Sequence, residues 1–236
     1  MSTAAKLCRY NDISISRYLG GGKRNLFFQH FSLKSCVDFV SGGEMKIVFA
    51  STNRGKLREA AEIFESFEIV PISAFSAWNA PDENGSTFLQ NAVIKAEAAA
   101  KAAPDSIVLA DDSGLVVPAL DGAPGIFSAR FSKEGTDAAN REKLLAELSG
   151  KSERSAYFVC AAVLIFPDKT VFAAEGRCYG RIIESCRGNN GFGYDPLFLP
   201  DGFDKTLAEL SEDEKNAISH RGRAFRKLLT FKGSSL

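Results

Sequence analysis

The chain has 236 residues and a mass of 25.5 kDa, which fits one large domain or two small ones with a sizeable core. Hydrophobic residues make up 45% and charged residues 25%, which excludes wholesale disorder and fibrous architectures. Lys plus Arg and Asp plus Glu both number 29, so no basic excess points to nucleic acid, and the longest apolar run, Tyr157–Phe166, is too short to cross a bilayer.

Neutrality hides an asymmetry. Residues 1–44 carry six basic and three acidic residues, which leaves 23 against 26 in the remainder. This stretch is rich in Ser and Gly and has no sustained period. At Met45 an apolar strand, Met45-Lys46-Ile47-Val48-Phe49-Ala50, begins abruptly. The fold is expected to occupy 45–236, with 1–44 an extension outside it. That extension reads as a mis-set start, a targeting presequence or a basic arm, and its three acids weaken the presequence reading.

From Met45 the pattern alternates. Lys46–Ala50 reads as a strand, Gly55–Phe67 as a helix with an apolar stripe, and Glu68–Ile72 as a second strand. Ser86–Ala103 is an Ala-rich helix with a capping box offered by Thr87-x-x-Gln90. Ile107–Ala110 is a short buried strand, Leu115–Val117 a separate apolar stretch, and Thr136–Leu148 a helix. Ala156–Phe166 and Thr170–Arg181, split by Pro167-Asp168-Lys169, form a hairpin. Ser211–Phe231 closes the chain as one helix, opened by a Ser211-x-x-Glu214 box. Helices between strands plus a hairpin predict an α/β domain with a mixed sheet.

Four stretches carry chemistry. Ser51-Thr52-Asn53-Arg54-Gly55-Lys56 joins a strand to a helix, where free backbone N–H groups favour an anion and Lys56 adds a point charge. It is not a Walker A loop, because Ala50 and Leu57 stand where Gly and Ser or Thr are required. An ordinary capped turn is the alternative. Asp111 and Asp112, in Ala110-Asp111-Asp112-Ser113-Gly114, lie at the end of an apolar strand, where an open α/β sheet places its ligand. Neighbours in an extended chain face opposite ways, so one carboxylate can enter a site while the other supports it. Glu83, in a polar stretch, offers a further carboxylate; a solvated acidic surface is the alternative for all three.

The third stretch, Gly188-Asn189-Asn190-Gly191-Phe192-Gly193-Tyr194-Asp195-Pro196, lets backbone approach a ligand while Phe192 stacks on a flat ring; otherwise its aromatics simply pack. The fourth runs from Glu214 to Arg223 and sets Lys215 just ahead of His220 and Arg221, donors that could instead line a charged helix face. With two histidines in the chain, any metal here is a hard ion held by carboxylates: magnesium, manganese or calcium. The five cysteines contain no C-x-x-C, so neither a zinc ribbon nor a disulfide framework is suggested and a reducing, cytoplasmic compartment is expected. Cys160 reads as a small core residue. Together these residues suit a nucleoside triphosphate.

The chain from Met45 onward closely resembles the inosine/xanthosine triphosphate pyrophosphatases, which act on non-standard purine nucleotides. The resemblance lies in S-T-N-R-G-K, E-N-G-S-T-F-x-x-N-A-x-x-K-A, A-D-D-S-G-L, L-D-G-A-P-G-I-F-S-A-R-F, G-F-G-Y-D-P-L-F and E-K-N-A-I-S-H-R-G-x-A, in the family's order. Residues 1–44 have no counterpart in that pattern.

The resemblance implies an elongated mixed β-sheet flanked by helices, with two lobes and a central substrate cleft. It implies a homodimer and a magnesium-dependent reaction: ITP, dITP or XTP plus water gives the monophosphate and pyrophosphate. Ser51, Thr52, Asn53, Arg54, Gly55 and Lys56 would wrap the triphosphate, with Lys95 and Ser113 beside it. Glu83 and Asp112 would hold magnesium, and Asp112 would be the base. Phe192, Gly193, Tyr194, Asp195, Lys215, His220 and Arg221 would surround the nucleotide, chiefly its base. Two other functions fit the same residues: a pyrophosphatase for methylated or pyrimidine nucleotides, and a non-catalytic nucleotide-binding module.

Overall fold

The computed structural model describes residues 46–230, together with the two-residue strands Arg9–Tyr10 and Ile13–Ser14, which pair antiparallel. The boundary expected at Met45 lies outside the described residues. Six strands form one mixed sheet: β1 (Lys46–Phe49), β2 (Glu68–Pro71), β3 (Ile107–Val116), β4 (Ser155–Ile165), β5 (Val171–Ile182) and β6 (Phe198–Pro200), in the order β2-β1-β3-β4-β5-β6. The first three strands are parallel and the rest antiparallel. Helices α1 (Arg54–Ile63), α2 (Phe88–Ala102), α3 (Asp137–Glu147), α4 (Glu212–Ile218) and α5 (His220–Leu229) cover it.

The core has three parts. On one face α2 lays Ala92, Ala96 and Ala99 on Val48, Val108 and Val163; small residues bring the helix close to the sheet. On the other, α1 and α5 pack Ala60, Phe64 and Phe225 on Ile47, Phe49 and Leu109. Beyond these, the far ends of β3, β4 and β5 carry a second lobe with α3, built on Leu115, Leu144, Leu148, Phe158 and Phe198. Cys160 is buried in the α1–α5 core, and burial pushes its thiol up to about 12, as a core residue requires.

The pairing of β3 opens the space between the lobes. β1 accompanies it only from Ile107 to Leu109, whereas β4 follows it from Val108 to Val116. Beyond Leu109 the β1 side of β3 is therefore unpaired by strand, because β1 has turned away at Ala50.

Three expectations need correcting. Ile107–Ala110 and Leu115–Val117 belong largely to one ten-residue strand, so Asp111 and Asp112 lie within β3 rather than at its end. The β4 ladder holds the polar stretch extended. Ser211–Phe231 is not one helix. Ser219 ends α4 and caps α5, accepting from Gly222 N–H at 3.0 Å. The Ser211 capping box is present, but the Gln90 side chain accepts from Ser86 rather than from Thr87.

Candidate active site

A cavity of about 440 Å³ lies between the lobes, beside the unpaired edge of β3. Of the residues expected to act, Ser51, Thr52, Asn53, Lys56, Glu83, Lys95, Asp112, Ser113, Phe192, Gly193, Tyr194, Asp195, Lys215, His220 and Arg221 line it. Arg54 and Gly55 do not. Arg54 opens α1 on the exposed side, and a Cβ at Gly55 would sit 2.6 Å from the Phe192 ring, so Gly55 gives that ring room. Asn53 caps α1 by accepting from Lys56 N–H at 3.0 Å, so the capped turn and the anion-ready helix start are the same structure.

The alternation of β3 separates the two aspartates. Asp111 points toward α1 and α5, where both its oxygens accept from Lys56 Nζ at 2.9 Å. Arg221 Nε donates to it at 3.2 Å and Ser113 Oγ at 2.6 Å. Burial works to raise its pKa, but Lys56 and Arg221 outweigh burial and hold the carboxyl far below the usual range. From this pair an alternating chain of charge continues inward. Arg221 bonds Glu59 on α1, Glu59 accepts from Lys215 at 2.7 Å, and Lys215 reaches Asp195 at 2.7 Å. The chain holds three cations and three anions, so its buried charges compensate.

Asp112 points the other way, toward α2. Asn91 Nδ2 donates to one of its oxygens at 3.1 Å, and Lys95 Nζ stands 3.4 Å from the other and 3.1 Å from Glu83. Asn91 also accepts from Gly85 N–H at 2.8 Å, so one side chain fixes both Asp112 and the segment carrying Glu83. Burial raises the Asp112 pKa above its usual value, and Lys95 only partly offsets this. This side of the cleft carries two carboxylates to one ammonium, a net negative charge facing the cavity.

That imbalance suits a hard divalent cation. Among the described residues no group of three or more His, Cys, Asp or Glu side chains is placed to hold a metal ion, so protein alone offers no full cage there. Magnesium is bound in many enzymes by one or two carboxylates together with substrate phosphates and water. Glu83 and Asp112, converging on one ammonium, match that demand in donor type and number.

On the opposite wall the Phe192 ring lies 4.8 Å from Lys215 Nζ and 5.7 Å from Arg221 Cζ, a cation–π arrangement. His220 stacks on Phe158 at 4.7 Å between centroids and 12° between planes. Burial and the adjacent Arg221 hold its pKa well below the usual value, so the ring is neutral, and its Nδ1 has no protein partner. Lys215, His220 and Arg221 are buried, which replaces the charged-surface reading of this stretch.

Sequence reasoning assigned no role to Glu59, Asn91, Ile126 to Arg130, or Asp137. Glu59 follows Lys56 by three residues and so shares its helix face, a weak signal. Asn91 and Lys95 are four apart on α2, a spacing that sets both on one face.

A cationic helix start, paired carboxylates and an aromatic beside buried cations define an α/β protein built to hold a polyanion bearing a flat ring. The comparisons agree. The family model described as the Ham1 family matches residues 47–231. A dITP/XTP pyrophosphatase of Nautilia profundicola is 47% identical over 182 residues, 76% of this chain and 93% of that protein. One of Bacillus anthracis is 48% identical over 190 residues, 78% of this chain and 94% of that protein. The structure of the Staphylococcus aureus Ham1 protein superposes with a TM-score of 0.71 at 44% identity, covering 79% of this chain and 97% of that one. This chain belongs to the Ham1 family.

Proposed function

We propose that this protein is a nucleoside triphosphate pyrophosphohydrolase that converts ITP, dITP and XTP to the monophosphate and pyrophosphate. The observation that carries the reading is the split of Asp111 and Asp112 at the cavity: Asp111 is held by Lys56, Arg221 and Ser113, whereas Asp112 turns the other way and converges with Glu83 on Lys95. A pure binding module has no need of the second.

In this reading the α1 start and Lys56 take the triphosphate, with Lys95 and Ser113 beside it. Glu83 and Asp112 would hold magnesium, which when bound offsets phosphate charge and favours the leaving pyrophosphate. Asp112 accepts a proton from the attacking water. Water oxygen forms a bond to phosphorus, the phosphoanhydride bond breaks, and its electron pair leaves with pyrophosphate. Lys95 stays cationic, because Asp112, Asp111 and Glu83 outweigh its burial, and it supplies positive charge where negative charge grows. The base lies against Phe192, with His220 and Arg221 at its edge. Hypoxanthine and xanthine present a keto acceptor where adenine presents an amino donor, so a pocket with a fixed donor there discriminates against ATP. Magnesium as the ion, a homodimer as the assembly and the cytoplasm as the compartment complete the proposal. No helix among the described residues is long and apolar enough to cross a membrane.

The test is product analysis after incubation of ITP with magnesium. IMP and pyrophosphate in equal amounts are expected. IDP with orthophosphate, or tight nucleotide binding without any product, would overturn the reading.

A further inference from the structure

The second lobe grips the Phe192 segment by its backbone, through two side chains that the proposed reaction does not use. Asp137 and Arg141 stand one turn apart on α3 and share a face. Gly193 N–H donates to Asp137 Oδ2 at 2.7 Å, and Arg141 Nη1 donates to Gly193 O at 2.7 Å. One helix thus holds both polar groups of the residue that follows Phe192. Both bonds involve a charged partner and a neutral peptide, a strong class of hydrogen bond.

The helix that supplies them is itself fixed. Asn140 donates to Ala129 O at 3.2 Å and accepts from Ser132 N–H at 2.7 Å, while Leu144 and Leu148 are fully buried. The inner side of the segment is tied elsewhere: Phe192 N–H donates to Asp195 at 2.9 Å, and Tyr194 Oη to Ser128 O at 2.9 Å. Between these ties the Phe192 ring reaches across the cleft to Gly55. A segment with glycine on both sides of Phe192 has much conformational freedom to lose, and fixing it before the ligand arrives lowers the cost of binding.

We propose that Asp137 and Arg141 are positioning residues for base recognition, setting the height and tilt of the Phe192 ring through the Gly193 peptide. This rests on the reading above that Phe192 stacks on the base.

The test compares kcat and KM for ITP with the inhibition constant of inorganic triphosphate, a competitor with no base, in Asp137→Ala and Arg141→Ala. In each, KM rises about 5–20-fold while kcat and the triphosphate inhibition constant stay within about twofold, because only ordering of the stacking ring is lost. Asp137→Asn keeps an acceptor and Arg141→Lys a donor, and both recover most of the wild-type KM. In a Phe192→Ala background, Asp137→Ala adds less than about twofold, since its effect passes through the missing ring. Equal shifts in KM and in the triphosphate constant, or a full Asp137→Ala effect without the ring, would overturn the proposal. A Phe192→Ala enzyme with wild-type KM overturns the stacking reading and this inference with it. A raised KM in Phe192→Ala beside an unchanged one in both alanine variants overturns the positioning role alone. Melting temperatures identify any variant that folds poorly, and the remaining alanine variant then decides.

Discussion

The peptide joining Asp111 and Asp112 sends one carboxylate to each face of β3, and their surroundings make them chemically unlike. Lys56, Arg221, Ser113 and the Cys160 thiol all donate to Asp111, and the two cations hold its carboxyl far below the usual range. Asp112 meets one lysine and one amide, and burial leaves it readier to take a proton. Asp112→Asn keeps the volume and removes the base. It is expected to retain the fold and lose a factor on the order of 10²–10⁴ in kcat, measured with ITP. An enzyme keeping more than about a third of wild-type kcat would place the base elsewhere. Glu59 shows what the sequence could not reveal. It is a glutamate in a helix, and only the tertiary arrival of Arg221 and Lys215 makes it a buried counter-ion. Burial alone would raise its pKa, but these two cations pull it down to about 2 from 4.5. A lowered folded-state pKa stabilises the fold above the unfolded value, and that stability is lost as pH falls from 4.5 toward 2. The shift corresponds to about 3 kcal/mol at most. Urea unfolding at about pH 5.5 and about pH 3 should show a smaller loss in Glu59→Gln than in wild type. Equal losses would mean that Glu59 does not carry this linkage.

At the scale of elements, the packing of α5 on β5 decides where His220 and Arg221 stand. Gly176 on β5 makes the approach possible: a Cβ there would lie 2.0 Å from His220 O and 2.6 Å from Ala224 N. Gly176→Ala should therefore push the start of α5 off the sheet. The expected cost is about 1–3 kcal/mol in stability, with a loss in kcat/KM for ITP, because the colliding carbonyl belongs to a cavity residue. A wild-type melting temperature and wild-type kcat/KM would show that α5 shifts freely without disturbing the site. Element types were legible from the residue pattern, as the continuous apolar run of β4, the Val- and Phe-rich β5 and the Ala-rich α2 show. Boundaries were not, wherever a polar signal had two readings. Asp-Asp-Ser-Gly reads as a strand end in isolation, yet the β4 ladder keeps it extended. Ser219 lies within a continuous helical pattern, and its side chain caps a new helix instead. The site stretches were legible because small, charged and aromatic residues cluster there. Their roles as partners were not, since Glu59 and Arg221, or Asp137 and Gly193, meet only after folding.

At the scale of the whole molecule, the long antiparallel strands carry the second lobe, and the cleft opens where β1 leaves β3. The Ham1 family match runs from residue 47 to 231, and the Nautilia profundicola and Bacillus anthracis relatives are matched over 93% and 94% of their own length. A chain beginning at Met45 is therefore expected to match the full chain in melting temperature and in kcat/KM for ITP. A drop of several degrees, or loss of activity, would mean that residues 1–44 pack on the domain or its site. The central claim is that the cleft both hydrolyses a triphosphate and selects its base. It is tested most directly by kcat/KM for ITP, XTP, dITP, GTP and ATP, measured side by side with magnesium and read as pyrophosphate released. ITP, XTP and dITP are expected to exceed ATP by about 100-fold or more, the scale that one unpaired buried donor or more imposes. Pyrophosphate released from ATP within about tenfold of ITP would contradict base selection by this pocket, and none from any of the five would contradict the enzyme itself.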